Sequence, residues 1–189
     1  MIGTMHLMIA TAVALPTLSG CAFMQRTLPG MTMSDANLIS VLDSLGEHEI
    51  DAALLARQKA SNPEVKAFAG RVLNEHRQLA QANARLAEQR SLQPDPPALS
   101  AELTRAHEQA MQKLRTQSGA AFDRAYVKHE IQQHVLAFQF MEAAAESEAE
   151  PTIKQELVRT GPDLLSHISA ARALERHLGI ESPETIASR

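Results

Sequence analysis

Four stretches of the chain place apolar residues at alternating spacings of three and four, the signature of helices that bury one face. The first runs Leu38, Val41, Leu42, Leu45, Ala52, Ala53, Ala56, and predicts a helix that Ser34 caps and that ends near Ala60. Ser61-Asn62-Pro63-Glu64 then combines a stop with a start, because Asn caps well and proline suits the first helical position. The second stripe is Val65, Phe68, Ala69, Val72, Leu73, Leu79, Leu86, Ala87, and predicts a helix to about Arg90. SLQPDPPALS (91–100) carries three prolines and must be a connection. A shorter helix follows from about Ser100 to Arg115, and Gln117-Ser118-Gly119 breaks it. A third long stripe then runs Val127, Ile131, Phe138, Met141, Ala145. Pro151 opens the last, Ile153, Leu157, Leu164, Ile168, Ala171, Leu174, Leu178, which stops at Gly179 and should kink at Gly161-Pro162. Two long helices, a crossover and two more long helices give an all-α, ferritin-like four-helix bundle with a short extra helix in the crossover.

Composition agrees with one helical domain: 189 residues, 44% hydrophobic, only 3% aromatic and no tryptophan. The 22 acidic and 18 basic residues are interspersed, which argues against a nucleic-acid partner. Ahead of the helices, residues 7–18 (LMIATAVALPTL) are apolar over the length of a signal-peptide core and too short to span a bilayer. Leu18-Ser19-Gly20-Cys21 follows and resembles a bacterial lipobox, in which cleavage precedes a lipidated cysteine. Cys21 is the single cysteine of the chain, so an internal disulfide is excluded. The expected organisation is a lipoprotein signal peptide at 1–20, a lipidated tether at 21–33, the bundle at 34–179 and a C-terminal tail at 180–189. The membrane partner would be reached through the lipid on Cys21. Ala22 after the cysteine, in place of a retaining aspartate, points to the outer membrane on its periplasmic side. The competing reading is an uncleaved apolar anchor, and the segment MIGTMH lacks the basic residue that export signals normally carry.

Polar residues that interrupt an apolar stripe project into the core. Each long helix has one: Glu49 between Leu45 and Ala52, His76 between Val72 and Leu79, His134 between Ile131 and Phe138, His167 between Leu164 and Ala171. Counted from the turns that join the helix pairs, at 1.5 Å per residue, they sit at heights of about 18, 22, 22 and 27 Å. Three imidazoles and a carboxylate at one level suit zinc, iron or copper. Glu130 and Asp163, one turn before His134 and His167, could orient a ring or ligate, and Glu47 and Glu75 are further candidates. The alternative is a metal-free module whose histidines and carboxylates form a buried hydrogen-bond network that sets helix register. The Glu-x-x-His signature of di-iron ferritins is missing, since Leu73, Ile131 and Leu164 stand three before the histidines. His6, His48, His107, His129 and His177 read as non-ligands, with His48 facing outward and His129 and His177 near helix surfaces. The sequence leans away from an enzyme, as it shows no nucleophile with an adjacent base, no phosphate loop and no cysteine pair.

The run E-x-D-x-x-L-L-A-x-x-K-A-S-N-P-E-V-K-A-F-A (49–69), N-E-H (74–76), S-G-A-A-F-D-R-A-Y (118–126), His134 and P-D-L-L-S-H (162–167) resembles the family called domain of unknown function 4142. The resemblance spans residues 35–178. It implies a ferritin-like helical domain behind an export or lipoprotein signal in bacterial envelopes, with no established activity. Glu49, His76, Asp123, Tyr126, His134 and His167 match its motif positions, which adds Asp123 and Tyr126 to the supporting residues. Glu75 stands where the family more commonly has aspartate.

Overall fold

The computed structural model describes residues 33–146 and 149–180, and these form five helices with no strand among them. They are α1 (Asp35–Lys59), α2 (Pro63–Gln89), α3 (Ala98–Thr116), α4 (Gly119–Ala145) and α5 (Pro151–His177). The lipobox with Cys21, the tether up to residue 32 and the tail from 181 lie outside the described residues.

The helix ends follow local chemistry. Ser34 Oγ accepts from Asn37 N at 3.1 Å while Asn37 Oδ1 accepts from Ser34 N at 3.2 Å, a reciprocal cap on α1. Asn62 Oδ1 accepts from Glu64 N and Val65 N, with Pro63 in the first turn, so the expected stop-and-start at 61–64 is what forms. At the end of α5, Gly179 adopts φ +62°, and the amides of Gly179 and Ile180 donate back to Arg176 O and Glu175 O at 3.1 and 3.0 Å. That pair of bonds closes the helix with a left-handed glycine. α5 runs on through Gly161-Pro162. The crossover helix is longer than expected at both ends, since Pro97 with its fixed φ starts α3 at Ala98.

α1 pairs with α2 and α4 with α5, each pair antiparallel across a short connection. α3 returns along the outside and packs on α1 and α4, so that α4 begins beside the start of α2. Asp123 fixes this junction: its carboxylate accepts from Ser61 N at 3.0 Å, Asn62 N at 2.9 Å and the Ser61 hydroxyl.

The core divides in two. One apolar cluster holds Ala52, Ala53, Ala56, Phe68, Val72, Leu73, Tyr126, Val127 and Ala171. The other holds Leu38, Val41, Leu45, Leu86, Ala137, Phe140, Met141, Ile153, Leu157 and Leu164. Between them, on each of the four bundle helices, lie the buried polar residues Glu49, His76, Glu130, His134 and His167. Among the described residues no helix is long and apolar enough to cross a membrane.

Candidate metal centre

His134 is the hub of the polar layer. Its Nδ1 lies 2.9 Å from the carbonyl oxygen of Glu130, one turn back on α4. A carbonyl only accepts, so Nδ1 carries the proton and Nε2 presents a bare lone pair. His167 is fixed in the opposite sense by α2: its Nε2 donates to Glu75 Oε2 at 2.5 Å, which leaves Nδ1 bare. These two bare nitrogens, His134 Nε2 and His167 Nδ1, face each other at 3.0 Å. His76 Nε2 approaches the same His134 Nε2 at 3.3 Å, and His76 Nδ1 is buried without a partner. All three rings are at most 5% exposed.

Burial holds the three imidazoles neutral. His76 is pushed down to about 3 by desolvation and then by the neighbouring His167. His134 is held well below the ordinary range by desolvation, with His76 and His167 adding to it. His167 is lowered by desolvation although Glu75 pulls the other way. Neutral imidazole is the ligating form.

The carboxylates form a second group on the other side of His134. Glu49 Oε2 and Glu130 Oε2 stand 3.7 and 3.6 Å from His134 Nδ1. Glu49 Oε2, both Glu130 carboxyl oxygens and the Tyr126 hydroxyl are buried without a hydrogen-bond partner of good geometry. Desolvation raises Glu130 to about 8, against the pull of Tyr126 and Glu49. Desolvation, with Glu130 adding to it, raises Glu49 well above the carboxylate range. Desolvation and the two carboxyls raise Tyr126.

The four residues expected to share one ion therefore divide: His76, His134 and His167 converge, while Glu49 joins Glu130 on the Nδ1 side of His134. Of the supporting residues, Glu75, Glu130 and Tyr126 are at the layer. Asp163 is exposed, and both nitrogens of His167 are engaged by Glu75 and His134 instead. Asp123 is spent on the 61–62 turn, and Glu47 is exposed.

A further correction concerns His48, expected to face outward, and His129, expected near a helix surface, together with His107 on the crossover helix. His48, His107 and His129 are buried, and the His48 and His107 rings stack 4.3 Å apart, 9° from parallel. His107 Nε2 lies 3.1 Å from Asp51 Oδ2, and the His129 ring is 6.3 Å from that of His107. The cause is α3, which covers the faces of α1 and α4 that a plain four-helix bundle would leave to water. His177 is exposed beside Glu64, as its position suggested, and His6 lies outside the described residues.

Next to the histidines, an apolar cavity of about 30 Å³ opens between the bundle helices. Leu45, Met141, Leu157 and Leu164 line it together with His76, His134 and Glu49.

The family model for a domain of unknown function, DUF4142, matches residues 22–174. The chain belongs to that family. Its matched region takes in every helix but the last residues of α5, and with them the whole polar layer. The DUF4142 chain is also similar in fold to the crystal structure of a DUF305 protein from Streptomyces coelicolor, described as a candidate secreted protein. That likeness has a TM-score of 0.67 at 13% identity and covers 78% of this chain and 95% of the other. No curated protein matches the DUF4142 chain.

Proposed function

We propose that this protein is a lipid-anchored component of the bacterial envelope whose bundle holds one transition-metal ion, zinc, iron or copper, on His76, His134 and His167. The observation that carries the reading is the pair of bare lone pairs of His134 and His167 at 3.0 Å. Their outer nitrogens are committed as donors, so neither can donate to the other, and the nearby His76 brings at most one proton to this junction. Facing lone pairs in a dry interior repel, whereas an electrophile between them is bound by all three. Nitrogens on a tetrahedral ion with bonds of about 2.0–2.1 Å stand roughly 3.3–3.4 Å apart, close to the separations present here. Glu75 would act as the carboxylate that orients and polarises a ligating imidazole, and the Glu130 carbonyl does the same for His134. The lipobox at Cys21 supports an envelope location, in keeping with the similarly folded DUF305 protein being described as a candidate secreted one, and the role there would be metal handling or stress response.

A second reading is a metal-free register-setting network, favoured by the Glu49–Glu130–Tyr126 group, whose carboxyls are held protonated and so need no cation. Metal analysis of the purified protein separates the two. The metal reading expects about one ion per chain and a rise in Tm on metal addition, both lost in His134→Ala. A protein with no stoichiometric metal after supplementation, whose His76→Leu variant melts as high as wild type, leaves the network reading.

A further inference from the structure

The cavity beside the histidines has features that core packing does not account for. Protein interiors leave few voids larger than a water, and an unfilled one lowers stability. Here the space of about 30 Å³ is lined in part by a glycine, Gly46, in the interior of α1. A Cβ built on Gly46 would meet nothing within 4 Å, so alanine would fit without displacing any neighbour. Alanine would also favour the helix. Gly46 thus leaves space unfilled in two senses, at a cost to stability, immediately beside the polar layer.

The shape and lining of that space specify what would fit it. His76 and His134 are among its lining residues, so it reaches two of the three rings that would hold an ion. Three protein nitrogens leave a four-coordinate ion one open position. The space, about 30 Å³ open to the centre of a water molecule, admits a small molecule of a few heavy atoms. The leucine and methionine walls disfavour a charged entrant, which would lose its hydration without replacement. Glu49 Oε2, buried and unpartnered, and the unpartnered Asn83 Oδ1 elsewhere on the lining offer polar contacts.

We propose that this cavity is the binding chamber for a small neutral ligand, of the class of dioxygen and nitric oxide, at the open position of the metal. The inference rests on the metal reading above. Gly46 is its space-making residue, and the apolar walls select against anions.

The test uses nitric oxide as the probe on the purified protein loaded anaerobically with Fe(II), with iron content measured on the same samples. Electron paramagnetic resonance should show a ferrous nitrosyl signal in proportion to the iron. Gly46→Leu, and Leu157→Phe from the opposite wall, should keep the iron and weaken nitric oxide binding at least tenfold. Gly46→Ala should weaken it less, yet raise the Tm of the metal-free protein. Because that variant only adds a methyl to open space, it keeps the test valid if either larger side chain prevents folding. Iron-loaded protein without a nitrosyl signal overturns the chamber alone, as does unchanged affinity in all the folded wall variants. Uptake of zinc but not iron also overturns the chamber and leaves the metal reading standing. A protein that takes up no metal overturns both.

Discussion

Glu75→Gln isolates the contribution of a single negative charge to the centre. Glu75 reaches from α2 to His167 Nε2 at 2.5 Å, and its own side chain is 45% exposed. Glutamine keeps the length and an accepting oxygen, so the ring stays oriented while the carboxylate charge is lost. Outer partners of ligating imidazoles contribute about 10–100-fold in metal affinity. That range corresponds to about 1.4–2.7 kcal/mol. At saturating free metal the stabilisation by binding falls by the same amount, and for a domain of this size each kcal/mol moves Tm by about 2–4 °C. The metal-induced rise in Tm should therefore be smaller than in wild type by about 3–10 °C. The metal-free variant should melt within about 0.5 kcal/mol of wild type, because the altered atom is half in water. Chelator competition gives the affinity and differential scanning calorimetry the two melting curves. An affinity equal to wild type, or a metal-free protein destabilised as much as the loaded one, would refute the assignment of Glu75 as the polarising partner.

Asp123→Ala removes the acceptor for three donors at the α1–α2 turn and should cost about 2–4 kcal/mol in urea unfolding while metal stoichiometry stays unchanged. In the metal-free protein, burial holds His48 and His129 at about 4 and His76 at about 3, with His134 and His167 also lowered. Below pH 6.5 the unfolded chain then takes up protons that the folded one refuses, so stability should fall steadily from pH 6.5 toward 3. Glu130 acts in the opposite sense: raised to about 8, it keeps its proton in the folded state between about pH 4.5 and 8 while the unfolded chain loses it, so its stabilising contribution is lost as pH rises through that window. Glu130→Gln should therefore lessen the fall of Tm toward pH 8 and steepen the acid limb between pH 6.5 and 4.5. Cys21→Ser should release the protein from carbonate-washed membranes, and persistence in the pellet would exclude lipidation as the anchor.

What could be read from the chain, and what could not, separates by the kind of information a helical stripe contains. A stripe fixes which face of a helix is buried and at what height, and so His76, His134 and His167 were recognisable as interruptions at one level. It does not fix which neighbouring helix turns a side chain toward that face. His167 illustrates the gap: Asp163 on its own helix points to water, and the partner comes from α2, whose Glu75 stands just off the buried face. Glu49 shows the same limit. Its burial was legible, but a carboxylate at the right height fell on the Nδ1 side of His134 rather than the Nε2 side, because α1 lies against α4 from that direction. His48, His107 and His129 are a different case, since the signal for their burial is present in the sequence. On α3 the buried residues Leu99, Leu103, Met111 and Leu114 form a stripe, and His107 interrupts it as His76 interrupts that of α2. An apolar stripe on a crossover helix requires a surface to cover, and that surface can only be a face of the bundle otherwise left to solvent. His48 and His129 lie on that face, so the reasoning that places the central histidines, carried to α3, brings these three inside as well.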